Sequence, residues 1–244
     1  MTTEAEDQTT AVSRIYFWAS THVGHVRSQN EDAFAVSGFE APPDTSSCEG
    51  ELDLETPWAL VADGIGGHPG GDVASKLAVA CLAELFSPVW QPKSVSASLT
   101  ATDQAIRHAM QLEPSLSGMG TTIAGAVVRA DQVFTFSIGD SRIYLLRESQ
   151  LFCISKDHVV EKHILSECLG GSSPAHEREP DTFSHRAIPG SRILLCTDGL
   201  TDLVRETEIR HLMENEQSPA NALVSAALQN GGHDNVTAVV LAFS

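Results

Sequence analysis

The sequence predicts an α+β fold in which two β-sheets pack together and helices cover their outer faces. Three observations support this prediction. Strand-like segments dominate both ends of the 244-residue chain, two helical patterns occur early and two late, and the strands in the middle follow one another at hairpin spacing. This distribution differs from the regular alternation of strand and helix in a Rossmann-type fold.

The N-terminal half is predicted to contain three strands followed by two helices. The strands are expected over 15–20, 32–36 and 58–62, and the helices over 73–85 and 94–112. Residues 1–13 are expected to form a disordered tail. The stretch 40–57 has three prolines, five acidic residues between Asp44 and Glu55 and little apolar periodicity, and is therefore expected to be an exposed acidic loop.

The C-terminal half is predicted to be a run of strands, then two helices and a closing strand. The strands at 121–128, 132–138, 142–147 and 151–155 are expected to form an antiparallel meander, because short turns join them. Further elements are predicted at 192–197 (strand), 206–213 and 219–228 (helices) and 236–243 (strand). The span 14–244 is therefore expected to be a single domain.

Composition excludes several classes of partner. The formal net charge is -17 with only 15 Lys and Arg residues, which disfavours nucleic acids and acidic membranes. We expect no signal peptide and no membrane span, since the N-terminus is polar and no apolar run approaches about 20 residues. The five cysteines are scattered and odd in number, which indicates a reducing, cytoplasmic location. The protein is expected to be a monomer.

Aspartates recur at the ends of strands that are predicted to be buried. Asp63-Gly64 and Asp198-Gly199 each end an apolar strand, Asp234 precedes the last strand, and Glu31-Asp32 lies at the mouth of another. Taken alone, an Asp-Gly pair such as Asp63-Gly64 is better explained as an ordinary strand-to-helix turn. If the carboxylates converge, however, they would repel by several kcal/mol unless divalent cations neutralise them.

The ligand types favour hard ions. Carboxylates and a backbone carbonyl, without a Cys or His cluster, suit Mg²⁺ or Mn²⁺ better than Zn²⁺. A carboxylate that bridges two such ions would prepare a metal-activated water as nucleophile. Asp63 is the best candidate for this bridge.

Six motifs follow one another along the chain: Arg27-Ser28-Gln29-Asn30-Glu31-Asp32, Val61-Ala62-Asp63-Gly64-Ile65-Gly66-Gly67-His68, Gly118-Met119-Gly120-Thr121-Thr122, Ser137-Ile138-Gly139-Asp140-Ser141-Arg142, Cys196-Thr197-Asp198-Gly199-Leu200 and Gly232-His233-Asp234-Asn235. In this order they resemble the motifs of the metal-dependent serine/threonine protein phosphatases (the PPM or type 2C family) in their compact bacterial form. The resemblance implies a four-layer αββα sandwich, two antiparallel sheets flanked by helices, with a centre of two Mn²⁺ or Mg²⁺ ions at one end.

The resemblance also implies roles for single residues. Asp63 would bridge both ions and the Gly64 carbonyl would bind one of them. Asp198 and Asp234 would hold the other. Three more residues would assist. Glu31 would contact the first ion through water, and Asp32 would support the carboxylate cluster. Arg27 would bind the substrate phosphate.

A third ion is left open by the sequence. Its implied ligands, Asp140 and Asp202, are both present. Ile65 stands where animal relatives have a histidine that donates a proton, so the donor would be water or another group such as His68. The family's flap also looks largely deleted after Asp157-His158, which predicts a more open site.

The implied activity is hydrolysis of phosphoserine and phosphothreonine in proteins, opposing a bacterial Ser/Thr kinase. Two alternatives stay open on the same fold. One is a non-catalytic regulatory module, which would be expected to have lost metal ligands. The other is a phosphohydrolase of small molecules.

Overall fold

A computed structural model describes residues 12–39, 47–65, 70–86, 90–161, 164–174 and 177–244. Three predictions fall wholly or partly outside these ranges: the tail up to residue 11, the part of the acidic loop at 40–46, and His68. The predicted tail is too long by two residues. Ser13 donates its backbone N–H to the Ser244 carbonyl oxygen at 2.6 Å, so the chain is already tied to the domain there.

The strands of the described residues are short and numerous. In chain order they are β1 (Ile15–His22), β2 (Asp32–Val36), β3 (Ser47–Leu52), β4 (Trp58–Asp63), β5 (Gly120–Thr121), β6 (Ile123–Arg129), β7 (Gln132–Ile138), β8 (Arg142–Arg147), β9 (Gln150–Cys153), β10 (Val159–Glu161), β11 (Ile164–Leu165), β12 (Leu169–Gly170), β13 (Asp181–Arg186), β14 (Arg192–Cys196) and β15 (Val236–Phe243).

The α-helices of the described residues are α1 (Gly71–Leu85), α2 (Val95–Leu112), α3 (Asp198–Thr201), α4 (Glu206–Asn215) and α5 (Pro219–Gln229). Each long helix starts within about two residues of its predicted position. Proline at the first position of α5 suits a helix start, because its missing N–H would have no partner there.

Two antiparallel sheets form the body of the domain. The six-stranded sheet has the order β3-β1-β15-β14-β8-β9, and the five-stranded sheet has the order β13-β7-β6-β4-β2. The ribbons β10–β11 and β12–β5 lie outside these sheets. The predicted fold class, an αββα sandwich, is confirmed.

Three apolar layers hold the sandwich together. Phe17, Val61 and Leu241 belong to the layer between the two sheets. Side chains of α1 and α2, such as Leu82 and Leu99, pack on the outer face of the five-stranded sheet. The helices α4 and α5 cover the outer face of the six-stranded sheet. Each helix therefore buries one apolar face, as its sequence periodicity predicts.

The structure corrects two of the predicted connections. Part of the predicted acidic loop 40–57 is the edge strand β3, which pairs with β1 and exposes Glu49 and Glu51 to solvent. Charged side chains are typical of such edges. The predicted meander is also wrong, because β6 pairs with β7 and β8 with β9, whereas β7 and β8 belong to different sheets. At Gly139, with φ of 100°, the chain crosses between the sheets.

None of the helices in the described ranges is long and apolar enough to span a membrane.

Candidate metal centre

A cavity of about 560 Å³ opens at one end of the sandwich. It brings together eight of the nine predicted site residues. These are Arg27, Glu31, Asp63, Gly64, Asp140, Asp198, Asp202 and Asp234. The ninth, Asp32, is buried and 6% exposed. Six carboxylates therefore share one cavity, although they come from five separate parts of the chain.

Asp63 lies at the last position of β4, where two threonines fix its backbone. Its N–H donates to Thr122 Oγ1 at 3.0 Å, and its carbonyl accepts from Thr121 Oγ1 at 2.8 Å and from the Thr122 N–H at 2.9 Å. Gly64 follows in a bridge with Thr121. A Cβ at Gly64 would lie 2.3 Å from the Gly71 carbonyl oxygen, so only glycine fits beside the start of α1.

Asp32 lies opposite Asp63 in the β2–β4 ladder. Its Oδ2 accepts hydrogen bonds from Thr237 Oγ1 at 2.7 Å and Thr197 Oγ1 at 2.9 Å. Its Oδ1 is buried and has no hydrogen-bond partner among the described residues. This oxygen is a buried acceptor that still requires a positive or hydrogen-bonding partner.

The remaining acids come from loops and one short helix. Asp198 begins α3 and Asp202 follows it directly. A Cβ at Gly199 would lie 1.9 Å from the Asn235 carbonyl oxygen, so the Asp-Gly turn allows this close approach. Asp140 lies in the crossing between the sheets and reaches the same cavity.

Charge repulsion and burial act together on the acids. Burial raises the pKa of Asp63 well above its usual value, and the neighbouring carboxylates of Asp32, Asp198, Asp140 and Asp234 raise it further. Burial likewise raises the pKa of Asp32 to about 7, against the two threonine hydrogen bonds, which lower it. The folded chain holds more negative charge at this point than it can neutralise alone.

The pKa of Glu31 is also raised. Burial is the main cause, and the charges of Asp72 and Asp234 add to it, whereas Arg27 lowers it.

Arg27 contacts a predicted metal ligand directly. Its Nη2 donates to Asp234 Oδ2 at 2.7 Å. This hydrogen bond raises the pKa of Arg27, so the guanidinium stays charged. A guanidinium has five N–H donors, and Arg27 can therefore hold Asp234 and still bind an anion in the cavity.

Sequence reasoning missed the residues that hold the loops together. Asn235 is 5% exposed and bonds three backbone positions of the connection between β1 and β2: its Nδ2 donates to the carbonyls of Val23 and Gln29, and its Oδ1 accepts from the Glu31 N–H. His233 lines the cavity beside Asp234. Asn235 belongs to the motif Gly232-His233-Asp234-Asn235, but its hydrogen-bond partners are about 200 positions away in the chain. No local sequence pattern therefore identifies its role.

The donor set fits a hard cation. The cavity offers carboxylate oxygens and the Gly64 carbonyl region, and the unpartnered Asp32 Oδ1 and the raised pKa values of Asp63 and Asp32 indicate an excess of negative charge. Among the described residues, no three His, Cys, Asp or Glu side chains meet in the arrangement of a finished metal site.

Comparison with known proteins agrees with this geometry. Residues 48–230 match the family model described as protein phosphatase 2C. The chain belongs to the protein phosphatase 2C family. The match includes four of the six cavity carboxylates, begins after Glu31 and stops just before Asp234.

Two curated relatives show the extent of the likeness. The serine/threonine phosphatase stp of Listeria welshimeri is 32% identical over 91% of this chain and 93% of its own length. The serine/threonine protein phosphatase PstP of Mycobacterium tuberculosis is 35% identical over 74% of this chain, which covers 39% of PstP. The chain thus spans about two fifths of the length of PstP.

Solved structures of this family have the same fold. The crystal structure of PstP from Mycobacterium tuberculosis superposes with a TM-score of 0.78 at 31% identity, covering 94% of this chain and 98% of that chain. A structure of the PstP catalytic domain contains two manganese ions and matches with the same TM-score of 0.78 at 32% identity.

Proposed function

We propose that the protein is a metal-dependent protein serine/threonine phosphatase, which hydrolyses phosphoserine and phosphothreonine in protein substrates. The observation that carries this proposal is the cavity with six carboxylates, a glycine carbonyl and one arginine. The two manganese ions in the PstP structure support the same assignment. A non-catalytic module would have no reason to keep so many mutually repelling acids.

The proposed cofactors are two Mn²⁺ or Mg²⁺ ions. Asp63 and the Gly64 carbonyl would hold one ion, and Asp63, Asp198 and Asp234 would hold the other. Glu31 would act through water. When bound, the ions would activate water as the nucleophile and neutralise charge on the phosphoryl group.

Three further acids have supporting roles in this proposal. Asp32 would supply its unpartnered Oδ1 as an acceptor behind the cluster. Asp140 and Asp202 line the same cavity and would hold a third, weaker ion. Because this site would be weak, its occupancy would depend on metal concentration.

Arg27 would bind the substrate phosphate. Its guanidinium lies at the cavity wall and is oriented by its bond to Asp234. The planar fork can donate two parallel hydrogen bonds to phosphate oxygens, which an ammonium group cannot do. This would place the phosphorus next to the carboxylate cluster.

The segment after Asp157-His158 is proposed to be a shortened flap. The strands β10 and β11 form a small ribbon, and Leu165 at its end lines the cavity. Arg142 anchors the base of this ribbon, with its Nη2 2.6 Å from Asp157 Oδ2 and its Nε 3.0 Å from Oδ1. The short ribbon leaves the site open to a protein substrate. If grafting a longer flap left substrate preference unchanged, this assignment would lose its support.

We also propose that the protein opposes a Ser/Thr kinase in the cytoplasm and acts as a monomer. The cysteines Cys48, Cys81, Cys153, Cys168 and Cys196 are all free thiols, which suits a reducing compartment. Phosphoproteins that accumulate when the gene is deleted would identify the substrates, and light scattering would give the oligomeric state.

The decisive assay is phosphate release from a phosphothreonine peptide. The parent should be active with Mn²⁺ and inactive with EDTA, and Asp63→Asn and Asp198→Asn should lose activity. Asp53→Asn is a matched control, because it removes the same charge at an exposed turn. A folded parent without metal-dependent turnover would contradict the proposal. Turnover of small phosphate esters but not of peptides would favour the small-molecule alternative.

A further inference from the structure

Helix α2 holds the backbone of Gly170 from both sides. Asp103 Oδ1 accepts the Gly170 N–H at 2.8 Å, and Arg107 Nη2 donates to the Gly170 carbonyl at 2.6 Å. Asp103 and Arg107 are themselves paired, with Arg107 Nε 2.8 Å from Asp103 Oδ2. One i,i+4 ion pair thus satisfies both polar groups of a single peptide position.

A second arginine, Arg178, also binds Asp103. Arg178 is 2% exposed, and its Nη2 lies 2.6 Å from Asp103 Oδ1, while its Nη1 lies 3.0 Å from Glu167 Oε2. Burial alone would raise the pKa of Asp103, but hydrogen bonds from Arg107, Gly170 and Arg178 outweigh it and lower the pKa. Asp103 is therefore a buried, ionised carboxylate. We call Asp103, Arg107 and Arg178 the Gly170 clamp.

Glycine is the only residue type that position 170 accepts. Its φ is +75°, and a Cβ there would lie 2.6 Å from Ile106 Cγ2 and 2.6 Å from the Met119 carbonyl oxygen. The clamp can approach the backbone this closely because there is no side chain between them.

Gly170 is joined directly to the metal-binding turn. It pairs with Gly120 in the β12–β5 ribbon. The Gly120 carbonyl accepts the Ile65 N–H at 2.9 Å, and the next residue, Thr121, forms the bridge with Gly64. Two steps of strand pairing therefore lead from Gly170 through Gly120 to Ile65, the residue next to Gly64.

We propose that the Gly170 clamp positions the Asp63–Gly64 turn for metal binding, so that Asp103, Arg107 and Arg178 are positioning residues of the metal centre. None of the three lines the cavity, and their effect passes through the ribbon. A shift of Gly120 would move the Gly64 carbonyl and the Thr121 hydroxyl that holds Asp63. The inference rests on the proposed metal centre.

The test compares three clamp variants with two controls. Arg107→Lys keeps the charge opposite Asp103 but loses the fork that also donates to the carbonyls of Gly170 and Ser173. Arg107→Gln and Arg178→Gln remove charge as well. Arg210→Lys makes the same change in the i,i+4 pair with Glu214 on α4, far from the ribbon.

The second control separates stability from positioning. Leu223→Ala removes a fully buried side chain in the layer under α4 and α5 and should lower the melting temperature as much as a clamp variant does. Mn²⁺ affinity is measured by calorimetry on folded protein, well below each melting temperature. Amide hydrogen exchange is measured at Ile65 and Thr122, whose N–H groups bond the Gly120 and Asp63 carbonyls.

We expect the clamp variants, Arg107→Lys included, to bind Mn²⁺ about 10-fold more weakly, the loss typical of partners that orient metal ligands. Exchange at Ile65 and Thr122 should become faster, and both controls should match the parent in affinity. Parent-like affinity in folded Arg107→Lys and Arg107→Gln, or an equal loss in Leu223→Ala, would overturn the inference. If the parent itself binds no Mn²⁺, the proposed metal centre is contradicted. If amide exchange at Ile65 and Thr122 is unchanged in the clamp variants, the positioning role of the Gly170 clamp is contradicted, whatever the result for the metal centre.

Discussion

Replacing Asp63 by asparagine should stabilise the protein in EDTA, contrary to the usual effect of changing a buried polar residue. Asp32 and Asp63 are directly opposed in the β2–β4 ladder, where side chains lie about 5 Å apart. At an effective dielectric constant of about 20, two carboxylates at this distance repel by about 3 kcal/mol. Asparagine has nearly the same shape and removes this repulsion.

The pKa of Asp32 is raised to about 7, chiefly by burial, and the charges of Asp198 and Asp234 add to this, so Asp32 is largely ionised at pH 8. From the repulsion between the two opposed carboxylates we expect Asp63→Asn to gain about 3 kcal/mol in free energy of unfolding at pH 8 in EDTA. For a domain of this size, that gain corresponds to an increase of roughly 6–12 °C in melting temperature.

The pH dependence follows from the raised pKa values. Between about pH 8 and 5 the unfolded carboxylates are already deprotonated, whereas Asp32 and Asp63 still bind protons in the folded state. The parent in EDTA should therefore become more stable as the pH falls through this range. Asp63→Asn should show a smaller gain, because one titrating group and most of the repulsion are gone.

Urea denaturation at pH 8 and pH 6, with EDTA or with Mn²⁺, measures these effects. At 100 times its dissociation constant, Mn²⁺ should add about 2.7 kcal/mol to the parent and little to Asp63→Asn. Asp103→Asn is the matched control: this buried acid is paired with two arginines, so its loss should cost about 3–5 kcal/mol. A destabilised Asp63→Asn in EDTA at pH 8 would refute the reasoning.

Three other predictions follow from the site and the charge. Gly64→Ala would place a Cβ 2.3 Å from the Gly71 carbonyl oxygen, so calorimetry should show weaker Mn²⁺ binding and urea denaturation should show a loss of about 1–3 kcal/mol in free energy of unfolding. Parent-like values would contradict the close approach. Thr237→Val removes the 2.7 Å hydrogen bond to Asp32 and should lower the free energy of unfolding by about 1–3 kcal/mol, whereas an unchanged urea midpoint would exclude that bond. With a net charge of -17, kcat/KM for an acidic phosphopeptide should rise from low to moderate ionic strength; a constant value would mean that local groups such as Arg27 dominate.

The sequence predicts the elements that have a strong apolar signal, either a continuous apolar run or a regular apolar face. Strands such as β4 and β15 are almost fully apolar, and α2 has a regular apolar face, so their bounds are predicted within about two residues. Edge strands are harder to predict. The strand β13 is largely exposed and polar, and β3 carries its acids on the solvent side, so neither has the apolar signal of a core strand.

Five of the six cavity acids were predictable because each lies next to an apolar strand and belongs to a motif, whereas Asp202 was implied only by the family resemblance. The residues that hold these acids and their loops in place were not predictable, since their roles depend on contacts between distant segments of the chain. Thr237 reaches Asp32 across 205 positions and Arg178 reaches Asp103 across 75. The sequence shows a threonine in a strand and an arginine in a polar stretch, and only the packed fold shows what they hold.

The most direct test of the metal centre is anomalous diffraction at the manganese edge from crystals grown with Mn²⁺. We expect two strong peaks in the cavity, with Asp63 contacting both ions, the Gly64 carbonyl contacting one, and Asp198 and Asp234 contacting the other. Crystals of Asp63→Asn grown with Mn²⁺ under the same conditions should lack both peaks. A cavity without manganese in the parent, or ions bound without Asp63, would contradict the proposed centre.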